Sequence, residues 1–309
     1  MRVLLIGAAG YIGTRLVSQL RHGSVETIAA DFRDAEGIDE VVDLRRAGEV
    51  YRLLMNYKPD VVVVTAYMLS RLTAANPMRA VETNVLGLTY VFQAAADLKL
   101  PRVIFTSSGG IYGAQEDFPR APLDESVYCR PRSLYGKMKR FNEWMADHYN
   151  ETSGTEIVSV RIWGPHGTRG PHGTSRNTGG ASTGGSSPYE MVVDAAGKKR
   201  RLKLPWVRDT VFHFIHVEDA AASLIPLIQA SQLDHRVYNA PGFTVTMAEL
   251  ADLARTTLGI DIDFSEPGRA INYVAYIDST RYESEFGFRP RSLAAWMEEE
   301  VAGSFGGAA

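Results

Sequence analysis

The strongest constraint on what this chain can fold into is a glycine triplet near its start, Gly7-Ala8-Ala9-Gly10-Tyr11-Ile12-Gly13. It follows a short apolar run at 2–6 and precedes apolar residues at helical spacing over 11–21. A strand that turns into a helix within so few residues needs backbone freedom, which glycine supplies. The first glycine permits the sharp turn, the second lets a phosphate approach the main chain, and the third lets helix pack close to strand. Turn amides and the positive end of the helix then make Gly7, Gly10, Tyr11, Ile12 and Gly13 a place for a pyrophosphate.

The next 140 or so residues repeat the alternation of strand and helix. Strands are expected at 25–30, 41–42, 60–64, 102–106 and 157–161, with helices at 47–57, 78–98 and 134–150. Val61 to Val64 are apolar at every position, as in a strand buried on both faces. The fold class that follows is α/β, a Rossmann-type doubly wound parallel sheet that binds ligands beyond the carboxyl ends of its strands. With 309 residues the chain outgrows a single core, so a smaller C-terminal α/β substrate domain is expected. The division is 1–162 for the sheet domain and 163–309 for the substrate region, with 205–240 partly returning to the first.

Beyond 161 the character changes. Residues 164–187 are rich in Gly, Ser and Thr and contain Gly-Pro-His-Gly-Thr twice, at 164–168 and 170–174. Such a stretch cannot build a core and reads as a loop, either a surface insertion or a lid over substrate. Helices are expected at 189–197, 217–230, 247–258 and 293–301, and short strands at 212–215, 237–239 and 273–277.

Composition removes several function classes. A net charge of -3, from 33 basic and 36 acidic residues, gathers neither nucleic acid nor anionic membrane. Cys129 is the only cysteine, which excludes a disulfide framework and a cysteine zinc site. No run approaches the roughly 18 apolar residues of a membrane span, and the apolar start is too short for a signal peptide. A soluble, cytoplasmic protein with a small-molecule partner is expected. His166, His172, His213 and His216 match no compact metal-ligand spacing, and no metal is expected.

Two further segments carry chemistry. Asp31, after the second strand, is placed to accept hydrogen bonds from both hydroxyls of a ribose and to repel a 2′-phosphate, which favours NAD over NADP. Arg33, two residues on, is the one group there able to pair with such a phosphate. Tyr135 and Lys139 lie four residues apart, hence on one helix face. An ammonium close to a phenol, which normally titrates near pH ~10, favours its ionised form, and the pair can then exchange a proton with a substrate hydroxyl. Ser107 and Ser108 follow a strand, where a hydroxyl can cap a turn or meet a reacting oxygen.

These segments together resemble the extended short-chain dehydrogenase/reductases, the NAD-dependent epimerase/dehydratase family. The likeness extends to Asp43-Leu44, Thr65-Ala66, Asn84-Val85 with Gly87, Thr106-Ser107-Ser108, Arg161 before Gly164-Pro165, and Phe214-Ile215-His216-Val217-Glu218-Asp219. It implies that Ser108, Tyr135 and Lys139 are catalytic: Tyr135 as acid/base, Ser108 orienting the substrate oxygen, and Lys139 lowering the phenol pKa and holding the nicotinamide ribose. It implies cofactor contacts at Asp43, Leu44, Thr65, Ala66, Asn84, Thr106 and Pro165, and a homodimer through helices around 78–98 and 134–150.

Departures from the family pattern narrow the chemistry. Gly109-Gly110 stand where 4,6-dehydratases of this family carry an acid–base pair, and where some 3,5-epimerases carry a cysteine; glycine transfers no proton. The leading expectation is an epimerase acting by reversible hydride transfer on a sugar or nucleotide-sugar-like substrate. A one-way dehydrogenase of a sugar acid or other secondary alcohol is the alternative, and a non-catalytic dinucleotide-binding regulator the reading from another class. Ser108, Gly109, Gly110, Trp163, Arg208 and Arg269 are the candidate substrate contacts. Gly164 replaces the asparagine of many nucleotide-sugar enzymes, and Phe212-His213-Phe214 replaces their Arg-Asp-Phe. The basic run 198–201 reads as a solvated face.

Overall fold

The computed structural model describes residues 1–118, 121–167, 187–269 and 274–305. The duplicated second pentapeptide with His172, and most of the proposed loop, lie outside the described residues. Strand β1 (Arg2–Ile6) leads into α1 (Gly13–His22), followed by β2 (Glu26–Asp31), β3 (Glu40–Val41), α2 (Ala47–Tyr57) and β4 (Val61–Val64). After α3 (Ser70–Ala75) and α4 (Pro77–Ala80) the chain makes a π turn, Val81–Gly87, and continues as α5 (Leu88–Asp97) and β5 (Arg102–Ser108). The long α6 (Leu134–Thr152) precedes β6 (Glu156–Ile162).

These strands form a parallel sheet completed by β10 (Val237–Asn239), in the order β10-β6-β5-β4-β1-β2-β3. The pleat sorts alternate residues to opposite faces. Val3 and Leu5 of β1 join the core beneath α1, whereas Leu4 and Ile6 join the core beneath α2 and α5. Both faces are therefore covered, and the four valines of β4 are buried as their pattern predicts. Where β1 and β4 stand side by side, at the centre of the sheet, their carboxyl ends open into one crevice.

The C-terminal region adds β7 (Pro165–His166), α7 (Pro188–Gly197), β8 (Leu202–Trp206), β9 (Val211–His216), α8 (Val217–Ala222) and α9 (Ile225–Gln229) ahead of β10. Beyond it come β11 (Phe243–Thr246), α10 (Met247–Leu258), β12 (Ile262–Arg269), α11 (Thr280–Phe286) and α12 (Leu293–Phe305). Strands β11-β9-β7 form one small sheet and β12-β8 another. Val193, Leu204, Phe214, Leu250 and Met297 share a separate apolar core there.

Several expected elements differ. The single helix over 78–98 is interrupted by the π turn, and the helix over 217–230 breaks into α8 and α9. Pro226 accounts for the second break, since it has no N–H to continue the ladder. The strand over 273–277 is reduced to an isolated bridge between Leu123 and Ile277, and residue 273 lies outside the described residues. Strands β8 and β12 carry no expectation because each contains a proline. Proline is tolerated at sheet edges, and a two-stranded sheet consists only of edges.

Candidate active site

The crevice begins at the glycine turn. Gly7 has φ +96°, and a Cβ there would lie 2.4 Å from the Ala66 nitrogen; one on Gly13 would lie 2.1 Å from the Gly7 carbonyl oxygen. Side chains at either position would push β1, β4 and α1 apart. The Thr65 hydroxyl donates to the Gly7 carbonyl at 3.1 Å, tying the end of β4 to the turn. No side chain caps the start of α1, because Ile12 occupies that position. That helix end suits the negative charge of a pyrophosphate.

Asp31 ends β2 with only 3% of its surface exposed. Its carboxylate accepts the Ala9 N–H at 3.0 Å and the Arg33 backbone N–H and Nε, both at 3.1 Å. The structure thus brings Asp31 to the glycine turn, with Arg33 beside it: the Arg33 Nε is held by Asp31 while its side chain stays 41% exposed. Asp43 is gripped by Arg45, whose hydrogen bonds hold its carboxyl below the usual range. Leu44 is buried beside Gly87. Pro165 lies on β7 opposite Ile215, and the Tyr11 hydroxyl donates to the Gly167 carbonyl at 2.8 Å, across from the glycine turn. Asn84 is buried in the π turn, and both ends of its amide are used on Met68: it accepts the Met68 N–H at 2.7 Å and donates to its carbonyl at 3.0 Å.

One strand further along, β5 delivers Thr106, Ser107 and Ser108 to the same edge. Ser133 caps α6 by accepting the Gly136 N–H at 3.0 Å. A Cβ on Gly136 would sit 2.3 Å from the Gly110 carbonyl oxygen, so glycine is what lets the first turn of α6 close on the Ser108–Gly110 turn. Tyr135 is thereby brought toward Ser108: a Cβ on Gly110 would lie 3.4 Å from the Ser108 hydroxyl oxygen and 3.6 Å from the Tyr135 ring. Lys139, one turn on, donates to the Thr106 carbonyl, and its ammonium lies 3.4 Å from the centre of the Tyr67 ring.

The expectation that Lys139 lowers the Tyr135 pKa is corrected here. Burial pushes the phenol up to about 12, with only the Ser108 hydroxyl pulling it down. Burial also pushes Lys139 down to about 7, against the pull of the Glu143 charge. The geometric reason is that the ammonium turns toward Thr106 and Tyr67 and stays 5.8 Å from the Tyr135 ring centre. Desolvation is the largest cause at both groups and moves each toward its neutral form.

Glu143 anchors this arrangement from below. It accepts Ser107 Oγ at 2.7 Å, Arg161 Nε at 3.0 Å, Arg161 Nη2 at 2.9 Å and Arg140 Nη1 at 2.8 Å. Ser107 and Arg161 are cross-strand partners of β5 and β6, so both meet Glu143 on one face. Arg161 continues to the Tyr112 hydroxyl at 2.8 Å, which hydrogen-bonds Asn239 of β10.

On the far side of Ser108, a Cβ on Gly109 would fall 1.6 Å from a Trp163 ring carbon. The Trp163 ring fills that space and stacks on Tyr112, ring centres 5.6 Å apart, forming a wall next to Ser108. Behind it His213 is buried and pushed down to about 4. Its Nδ1 meets the Thr244 hydroxyl at 3.0 Å, which gives its own proton to the Ala275 carbonyl, so the imidazole is neutral with its proton on Nδ1.

Arg208 and Arg269 are not brought to this wall. Both are exposed near the β8–β12 sheet, where Arg208 lies over Phe264 and Arg269 pairs opposite Trp206. Trp206 belongs to the C-terminal core. His216 stacks on Trp296 with ring centres 3.7 Å apart, and His166 packs on Tyr189. Lys198 and Arg200 pair with Asp194 on the surface, as a solvated face does.

Tyr67, Glu143 and Arg140 are site residues that carry no expectation from sequence. Glu143 had a usable signal: it lies four residues after Lys139, on the same helix face. Tyr67 had none beyond following Thr65-Ala66 at a strand end.

The profile of the NAD dependent epimerase/dehydratase family matches residues 3–240. An uncharacterised epimerase/dehydratase of Staphylococcus haemolyticus is 26% identical, covering 96% of this chain and 95% of its own length. One of Staphylococcus saprophyticus is also 26% identical, covering 94% and 92%. Among solved structures, a Thermus thermophilus UDP-glucose 4-epimerase in complex with NAD superposes with a TM-score of 0.77 at 23% identity, over 100% of both chains. An L-threonine dehydrogenase from Cupriavidus necator superposes with a TM-score of 0.83 at 22% identity, over 98% of this chain and 100% of its own. The structural likenesses establish the same fold.

Proposed function

Because the chain belongs to the NAD-dependent epimerase/dehydratase family, we propose that it is an NAD-dependent epimerase-type enzyme acting at a secondary hydroxyl of a carbohydrate-like substrate. NAD is the cofactor of this family, and the crevice fits it: an uncapped helix start behind a side-chain-free turn, with Asp31 beside it. Gly7, Gly10, Tyr11, Ile12 and Gly13 would hold the pyrophosphate, Asp31 and Arg33 the adenosine ribose, and Asp43 and Leu44 the adenine. Thr65, Ala66, Thr106 and Pro165 would line the remaining length. The bound nicotinamide supplies the hydride acceptor.

The observation that carries the reading is that Ser108 and Tyr135 flank Gly110 at the mouth of the sheet, with Lys139 one helical turn beyond Tyr135. Ser108 would orient the substrate oxygen, and Tyr135, once ionised, would take its proton as the carbon is oxidised, then return it. Gly109 and Gly110 offer no second acid or base, which supports hydride and proton exchange at one centre without elimination. A neutral His213 behind Trp163 supplies none either.

A second reading, a one-way dehydrogenase of a small secondary alcohol, is favoured by the substrate side. Arg208 lies over Phe264 and Arg269 is exposed opposite Trp206, so among the described residues neither candidate arginine contacts Trp163. Purified protein incubated with nucleotide sugars and sugar acids separates the two. Product isomers without net NADH support epimerisation, and stoichiometric NADH supports dehydrogenation. NAD binding with neither product supports a regulator. Replacement Tyr135→Phe should abolish turnover while leaving NAD affinity nearly unchanged; substantial residual turnover removes Tyr135 as the acid/base.

The chain is further proposed to form a homodimer through α4, α5 and α6. Met78 is 72% exposed and Trp144 53% exposed, Leu134 and Phe141 add to the apolar surface of α6, and Val81 and Leu86 of the intervening π turn extend it. A surface of that kind is expected to be covered.

A further inference from the structure

Lys139 is almost completely enclosed. It is only 2% exposed, and the face of Tyr67 lies 3.4 Å above its ammonium. Tyr67 also stands edge-on to Tyr135, with ring centres 5.4 Å apart and planes at 87°. The same ring therefore touches both members of the acid–base pair. An aromatic face attracts a cation through its quadrupole, and does so more strongly where water is excluded.

The position of Tyr67 is built from two sides. Its neighbour Met68 is held by both ends of the Asn84 amide, at 2.7 and 3.0 Å. Its hydroxyl accepts a hydrogen bond from Asn142 Nδ2 at 3.2 Å, and the same Nδ2 donates to the Asn84 carbonyl at 2.9 Å. Asn84 lies in the π turn Val81–Gly87, and such turns re-aim side chains and carbonyls in the middle of a helix. The interruption of the helix thus has a structural consequence: it joins Asn84, Met68, Asn142 and Tyr67 above Lys139. The phenol of Tyr67 remains protonated, because burial and the nearby Tyr135 push its pKa well up. Its ring accordingly meets Lys139 as a neutral π face.

We propose that Tyr67 is a positioning residue for the acid–base pair, its ring face holding the Lys139 ammonium charged and beside Tyr135. The other groups facing that ammonium are Tyr135 and Glu143 on α6 and the Thr106 carbonyl on β5; Arg161 of β6 and Arg140 of α6 offset Glu143 from behind. All of these groups are retained when Tyr67 alone is replaced. The role rests on the acid–base reading of Tyr135 and Lys139, but the contact can be read without any substrate, so failure of one is told apart from failure of the other.

The test is a titration of Lys139 by NMR in protein carrying ¹³C at the lysine ε-carbon, with its signal assigned by its loss in Lys139→Met. Removing the ring in Tyr67→Leu should lower the Lys139 midpoint by roughly 0.5–1.5 pH units, the shift equivalent to a cation–π contact. Tyr67→Phe keeps the face and should stay within about 0.3 units of the unaltered protein. Tyr67→Met fills the space without a π face and repeats the leucine measurement should that variant fail to fold. A midpoint unmoved in Tyr67→Leu or Tyr67→Met overturns the proposal. So does a fall in Tyr67→Phe as large as in Tyr67→Leu, which would assign the effect to the hydroxyl and Asn142.

Discussion

Replacing Glu143 by leucine strands a cation. Four hydrogen bonds converge on this carboxylate, two of them from Arg161, which is 2% exposed. Ser107 loses one neutral–charged bond, and Arg140, partly exposed, turns to solvent; each loss is modest. Arg161 has no such exit, since its remaining acceptors are the Tyr112 hydroxyl and the Glu125 carbonyl, both neutral. Removing one partner of a buried ion pair costs about 3–5 kcal/mol, which sets the expected destabilisation of Glu143→Leu in urea unfolding. Against a total stability of about 5–15 kcal/mol, that is a large fraction. The double replacement Glu143→Leu with Arg161→Met removes both charges, and replacement of a whole buried pair is often close to neutral. The double variant should therefore be more stable than Glu143→Leu alone, with a coupling energy of at least about 2 kcal/mol in the double-mutant cycle. Additive losses, or a loss below about 1 kcal/mol in Glu143→Leu, would refute the account of Arg161 as a cation dependent on Glu143.

Three further outcomes are expected. Gly109→Ala puts a methyl where Trp163 already lies, so the indole must move; a loss of about 1–3 kcal/mol and altered tryptophan fluorescence should result, and an unchanged spectrum would contradict the packing. Burial pushes Lys139 down to about 7 in the folded protein, below its ordinary value when unfolded, so the unfolded state binds more protons between those limits and stability rises with pH there. Lys139→Met should flatten that rise by about 1.4 kcal/mol per pH unit above neutrality, and an unaltered slope would mean that burial leaves the Lys139 midpoint at its ordinary value. Trp144→Glu puts a charge on the exposed face of α6 and should shift sedimentation from dimer to monomer; an unchanged distribution would place any interface elsewhere.

Much of the fold was legible because its rules are local. The glycine turn, the all-valine β4 and the four-residue spacing of Tyr135 and Lys139 each follow from backbone sterics or helical period within a few residues. Those rules also placed Asp31 at a strand end, though not its grip on the Ala9 amide and Arg33. Local rules fail where proline or a π turn alters an otherwise regular pattern, as at Pro226 and Val81–Gly87.

The amino-acid sequence by itself determined the elements, the turn suited to a pyrophosphate and the helix face shared by a phenol and an ammonium. Tertiary structure alone decided what surrounds them. Tyr67 covers Lys139 from 72 residues away, Arg161 reaches Glu143 because β5 and β6 are neighbours, and Trp163 takes the space left by Gly109. The physical reason is range: backbone preference acts over a turn or two, whereas proton affinity depends on every charge and ring within a few ångströms. Only the order of strands in the sheet brings those together.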